Sequence, residues 1–208
     1  TPLSAVAGIL LAASLAGCGD PVAEQLARLR NGGFEAKLAA IDRLRDATDD
    51  PRVVPALAAV SGNEPAAEGR VAATTALGRT GKATPFLLGA LEDPVKPVRI
   101  AAAIELVKQA PANEPSRVVL TEAMLAGDGP AYLAVGRLGA EGAWATPTLT
   151  RLLSSRSARL RNVAAMTLGR IGPAAGEALD TLRHAGRDPE PGVRRQAAEA
   201  IRKIEAPR

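Results

Sequence analysis

The chain has 208 residues, a formal net charge of +4, 47% hydrophobic residues and only 2% aromatic ones, so it can bury a core, but one made of alanine and aliphatic side chains. A single cysteine excludes an internal disulfide, and a single histidine excludes a multi-histidine metal centre. Stability has to come from packing.

Residues 3–17, LSAVAGILLAASLAG, carry no charge and run directly into Cys18. The stretch is short of the ~20 apolar residues that a membrane-crossing helix needs and matches the apolar core of a secretory signal. Leu15, Ala16, Gly17 and Cys18 resemble the bacterial lipobox, whose cysteine thiol receives a diacylglycerol before the peptide is cut just ahead of it. The chain opens on Thr1, without an initiator methionine or upstream basic residues. The expectation is therefore an N-terminally truncated lipoprotein signal over residues 1–17, with a mature protein anchored at Cys18 and facing the periplasm or the cell exterior. Two fatty chains suffice for stable anchoring where one is marginal. The alternative is a buried apolar helix with an inert thiol.

Asp20 and Pro21 make a helix N-cap and first-turn pair. Val22, Leu26 and Leu29 then share one helical face until Asn31, Gly32 and Gly33 stop it. Residues 18–32 thus read as a lipid-anchored capping helix, ahead of a repeat domain over 33–208.

From there an alanine recurs at Ala40, Ala73, Ala102, Ala131, Ala164 and Ala197, at intervals of 33, 29, 29, 33 and 33. Three residues earlier stand Lys37, Arg70, Arg99, Asp128, Arg161 and Arg194; four residues later stand Leu44, Leu77, Leu106, Val135, Leu168 and Ile201. Alanine and aliphatic share one helix face, and the anchor sits one turn upstream. Six residues ahead of each anchor lies a polar residue: Asn31, Glu64, Asp93, Glu122, Ser155 and Asp188. These can cap a helix or accept hydrogen bonds from turn amides. ALGRTG, AVGRLG and TLGRIG close three of the segments, their glycines suited to a left-handed C-cap. Second, shorter apolar segments follow from Pro55, Pro85, Arg117, Pro147 and Glu177. The pattern is a helix-turn-helix repeated about five times, with a polar-faced last helix of which Val193, Ala197, Ile201 and Ile204 point inward. The fourth repeat carries Asp128, Gly129 and Pro130 where the others begin a helix, so its first helix should be short or irregular.

Asp93, Val98, Arg99 and Ala102, Leu160, Arg161, Ala164, Leu168, Gly169 and Gly172, and Asp188, Val193, Arg194 and Ala197 carry a resemblance. From about residue 33 to 204 the chain is similar to HEAT-repeat proteins, and to the short HEAT-like repeats found in phycobilisome lyases. The resemblance implies an all-α, α-α superhelix, a HEAT-like solenoid of about five helical hairpins plus a C-terminal capping helix. It also implies that Asp93, Arg99, Asp188 and Arg194 belong to stabilising ladders between repeats. Fold likeness alone names no activity.

Nine residues past the anchors stand Asp46, Arg79, Lys108, Arg137, Arg170 and Lys203, five of them cations. As a ladder they can meet an anionic surface or polymer. As residues of helix C-termini they can equally serve the helix dipole, at ~0.3 to 1 kcal/mol each. Tyr132 and Trp144, rare large aromatics, are gap fillers or the contact points of a bound partner. His184 has no neighbours in sequence to make a metal or catalytic set, and Asp49 and Asp50 precede Pro51, where capping is the natural role. The repeated Gly-Arg-X-Gly words follow helices and lack the lysine of a phosphate loop. No catalytic residue, metal or cofactor is assigned. The expected function is a non-enzymatic protein-binding scaffold, a membrane-anchored extracytoplasmic lipoprotein. The alternatives are an enzyme or accessory like the bilin lyases, and a nucleic-acid binder, which export disfavours.

Overall fold

The structure, a computed structural model, describes residues 20–206. The described residues form α-helices and two 3-10 segments with no strand. Two compact units divide the chain between Ala83 and Thr84.

The first unit holds α1 (Pro21–Asn31), α2 (Phe34–Leu44), α3 (Val53–Asn63) and α4 (Ala67–Thr80). Asp20 starts α1 by accepting the Val22 and Ala23 amides at 3.0 and 3.1 Å, with Pro21 in the first turn where no amide is needed. α1 lies on α2 and α3 and buries Leu26 and Leu29 as the spacing requires. Val22 is only half-buried, and Gln25 takes an inward place instead. α4 packs on both α2 and α3, with Ala73 and Leu77 wholly buried, and the Ser61 and Thr74 hydroxyls meet at 2.8 Å inside that contact.

The second unit holds α5 (Thr84–Ala90), α6 (Lys96–Gln109), α7 (Glu114–Leu125), α8 (Gly129–Arg137), α9 (Thr146–Leu152), α10 (Ala158–Ile171), α11 (Leu179–Ala185) and α12 (Pro191–Glu205). The 3-10 segments Gly139–Ala145 and Gly172–Ala178 lead into α9 and α11. α6 packs on α7, α10 on both α8 and α12, and α11 on α12, so successive pairs share one interior. All six alanines of the repeat column are fully buried, as are the aliphatics from Leu44 to Leu168. Each such leucine contributes ~1.5 to 3 kcal/mol by leaving water. Ile201 is half-exposed because no helix among the described residues follows α12 to cover it.

The anchor arginines have a specific task. Arg70, Arg99, Arg161 and Arg194 each turn back and donate Nη1 to the carbonyls six and five residues earlier, at 2.7 to 3.2 Å. Those carbonyls lie in the turn before the helix and have no helical donor, so the guanidinium satisfies them. Asp93, Ser155 and Asp188 of the polar column sit in the same turns as acceptors, not as helix caps: Asp93 takes the Val95 amide at 2.8 Å, Asp188 that of Glu190 at 2.9 Å, and Ser155 that of Ser157 at 3.2 Å. Acids of this column also reach the anchor of the preceding repeat. Lys37 meets Glu64 at 2.7 Å, and Arg161 meets Asp188 at two points.

The two glycines of each Gly-Arg-X-Gly word divide the labour. Gly81, Gly139 and Gly172 have positive φ and end or follow their helices, as the words imply. Gly136 and Gly169 lie inside helices at close approaches that the sequence did not reveal. A Cβ on Gly169 would stand 2.9 Å from the Ala200 Cα, and one on Gly136 would stand 2.9 Å from the Arg170 Cδ.

The irregular fourth repeat is as anticipated: α8 has nine residues where α6 and α10 have fourteen. α7 ends ahead of it in a Schellman turn, with Gly127 at φ +82 and the Asp128 amide bonded to the Ala123 carbonyl at 3.0 Å.

Candidate functional site

Cys18 and the apolar stretch before it lie outside the described residues. No helix among the described residues is long and apolar enough to cross a membrane.

Arg79, Lys108, Arg137, Arg170 and Lys203 are all exposed, and all fall in the last turn of their helices. That placement is what service to the helix dipole requires. Two members are also committed locally. Lys108 pairs at 2.6 Å with Glu105, a carboxylate only 5% exposed at a position where other repeats bury Ala76, Ala134, Thr167 or Ala200. Lys203 pairs with Glu199 at 2.6 Å. Among the described residues Arg79, Arg137 and Arg170 make no ion pair, and the Arg170 stem lies across Gly136, joining α10 to α8.

Tyr132 and Trp144 part company. Tyr132 is 1% exposed, and its hydroxyl donates to the Met124 carbonyl. Burial pushes its phenol above the ordinary range. It fills a gap between α7 and α8 and presents nothing to a partner. Trp144, in the 3-10 segment after α8, is half-exposed and stands with the Arg117 guanidinium 5.6 Å from its ring centre. Arg117 is held there by donating Nε to the Pro111 carbonyl at 2.7 Å, the same reach-back that the anchors make. The Trp144 Nε1 is enclosed without an acceptor among the described residues.

Around this pair lies a shallow groove of about 270 Å³ lined by Glu114, Arg117, Val118, Thr121, Glu122 and Trp144. Asn113 fixes its near end by capping α7, taking the Ser116 amide at 3.0 Å. Val118 is 49% exposed and Leu125, two turns on, 40%. Since α7 already buries Leu120, Ala123 and Met124 inward, these two form an apolar stripe on its outer side. Glu122 belongs to the polar column, yet makes no ion pair among the described residues, unlike Glu64 and Asp188. In this repeat α7 runs on through Leu125, which places Glu122 on a helix face rather than in the turn.

A larger groove of about 540 Å³ lies within the first unit, walled by Leu26 and Leu29 of α1 and by Ala56, Ala59 and Val60 of α3. Its charged rim is largely self-satisfied. Lys37 holds Glu64 below its ordinary range, and Arg52 bridges Asp20 and Asp50 at 2.8 and 2.6 Å. The Arg52 guanidinium and amide bring Asp50 down to about 2. Asp50 thus braces the turn before α3 with Arg52, while Asp49 reaches only Lys82, at 3.4 Å.

His184 is exposed, its Nδ1 2.8 Å from the Asp180 carbonyl one turn earlier. Among the described residues no group of three His, Cys, Asp or Glu side chains is placed to hold a metal ion.

Comparison with known proteins bears on the fold. Residues 145–208 match the family model of HEAT repeats. A solved structure, the complex of CpcE and CpcF of phycocyanin lyase from Nostoc sp. PCC7120, is similar with a TM-score of 0.54 and 23% identity, over 91% of this chain and 79% of that one. No curated protein matches the sequence. The chain is an all-α protein of HEAT-like solenoid class, and at that identity the likeness speaks for fold alone.

Proposed function

We propose that this chain is a non-enzymatic scaffold that binds another protein, held at the extracytoplasmic face of a bacterial membrane by lipid on Cys18. The observation that carries the binding role is the outer face of α7, where Val118 stands in water beside a tryptophan already ordered by Arg117 and Leu125 extends the apolar stripe two turns on. A tryptophan fixed by an arginine combines two residue types that are enriched at contact hot spots. The likeness to one member of a two-protein complex is consistent with a protein partner.

A photo-crosslinking residue at Val118, expressed in native membranes, should yield a discrete adduct that the same residue at exposed Arg156 does not. Identical patterns from both positions would remove the scaffold reading. Anchoring has its own test: a clickable fatty acid should label the wild type and not Cys18→Ser, and equal labelling of the two would end it.

A second reading, a lyase or lyase accessory, is favoured only by the fold shared with the phycocyanin lyase complex. Chromophore attachment to an acceptor protein that depends on adding the purified chain would favour it over the scaffold.

A further inference from the structure

The scaffold reading leaves the partner's chemistry open, and α7 narrows it. Its outer stripe runs from Glu114 through Val118 and Thr121 to Leu125, residues that fall on one side of the helix at intervals of four, three and four. Glu122 borders the stripe along one edge, and Arg117 and Trp144 along the other. Both acids are exposed. Glu114 has only a 3.8 Å approach to Arg117 and is 76% exposed, and Glu122 has no pair among the described residues. Arg117 also donates to the Pro111 carbonyl and lies by the Trp144 ring, and its charge offsets one of the two acids. Glu114, Glu122 and Arg117 therefore leave a single net negative charge on this face of a chain whose formal net charge is +4.

We infer that this stripe seats an amphipathic helix of a partner protein, one whose apolar residues cover Val118 and Leu125 and whose flanking lysines or arginines reach Glu114 and Glu122. The inference rests on the scaffold reading and adds to it the sign of the partner's charge. The two aliphatics lie about 10 Å apart and the two glutamates about 12 Å, spans of two helical turns that a second helix matches with its own i and i+7 positions. The two exposed carboxylates draw a cationic helix to this face against the positive net charge of the chain.

Trp144 is the sole tryptophan, so its emission reports directly on occupancy of the stripe. The probes are two synthetic helices of about five turns, each with a leucine stripe, one flanked by lysines and the other by glutamates. Titration of the full chain with the lysine helix should shift Trp144 emission saturably, and the glutamate helix should not. Glu114→Lys with Glu122→Lys should weaken the lysine helix at least about tenfold, and Val118→Asp comparably. All three positions are surface sites, and unchanged circular dichroism verifies the fold. Equal binding of the two helices, or an affinity untouched by the double charge reversal, would overturn the inference. A Val118 crosslink to a partner whose bound segment is acidic would overturn it too while leaving the scaffold standing.

Discussion

Arg161 and Asp188 meet at two points, Nε to Oδ2 at 2.6 Å and Nη2 to Oδ1 at 2.8 Å, and so tie the start of α10 to the turn ahead of α12. The same guanidinium still satisfies the Ser155 carbonyl at 2.8 Å, while the carboxylate also takes the Glu190 amide. One pair therefore sets two turns and the spacing between them. Side chains 13% and 7% exposed make this one of the better-shielded ion pairs among the described residues.

Asp188→Asn keeps the shape and one acceptor but loses the charge. It should cost about 1.5 to 3 kcal/mol in urea unfolding at pH 7, the range for hydrogen bonds to charged groups. Arg161 holds the folded carboxyl below the ~3.9 of an unfolded aspartate, so its contribution is complete above that value and fades as pH falls through the lowered one. The gap between wild type and variant should narrow only below about pH 4. A gap constant down to the acid limit would show that the charge on Asp188 is not what stabilises the pair.

Asp50 is the other acid with a legible titration. Bonded first by the Arg52 guanidinium and then by the Arg52 amide, it should titrate at about 2 when followed by carbon NMR of its carboxyl. In Arg52→Met the midpoint should rise toward the ordinary aspartate range. A midpoint indifferent to that substitution would place the shift elsewhere.

Gly169 and Gly136 give a paired test of close approach. At Gly169 an added methyl meets backbone and Cβ of Ala200 at 2.9 and 3.1 Å, atoms that move only if α12 moves. Gly169→Ala should lower stability by about 1 to 3 kcal/mol despite the better helix former. At Gly136 the obstacle is the flexible Arg170 stem, so Gly136→Ala should come out near neutral, the helix propensity gain of ~1 kcal/mol offsetting the adjustment. Thermal melts that rank the two the other way would contradict the helix spacing described.

Lys108 and Arg137 separate local duty from a common ladder. Lys108→Met leaves the Glu105 carboxylate buried without its partner and should destabilise by about 1 to 3 kcal/mol. Arg137→Met, exposed and without an acid, should stay within about 0.5 kcal/mol. Similar costs in denaturant would mean that burial of Glu105 is not what distinguishes them.

Tyr132→Phe should lose about 0.5 to 1.5 kcal/mol, since the Met124 carbonyl gives up its buried donor. Trp144→Phe, at a half-exposed ring, should change stability less while removing the fluorescence. Differential scanning calorimetry of both separates an interior tyrosine from a surface tryptophan.

The repeat period, the buried alanine column and the short α8 were legible because each depends on spacing along one helix. Period reports what a helix turns inward, and Ala40 through Ala197 turn inward without exception. What crosses between helices was not legible. Gly136 and Gly169 share a word with Gly139 and Gly172, and nothing in the word says that its first glycine admits a neighbouring helix while its second bends the chain. Tyr132 and Trp144 look alike as rare aromatics, yet both meet α7, Tyr132 at the Met124 carbonyl and Trp144 at Arg117, and only the side of α7 that each meets decides which is interior. The groove on α7 was missed because Val118 and Leu125 belong to the apolar segment from Arg117, whose spacing alone does not tell its inner from its outer side. The signal that could have separated them was their offset from Leu120 and Met124 around the helix.

The reach of the anchor arginines has a consequence for how such a chain can grow. Each guanidinium satisfies carbonyls five and six positions behind it, so a turn and the side chain that secures it travel together in a few consecutive codons. Duplicating or deleting a whole unit of about thirty residues leaves every such clasp intact, and only the pairings at the new seam need to be rewritten. Length is then a property that tandem copying can adjust, while the inside of each brick stays as it was.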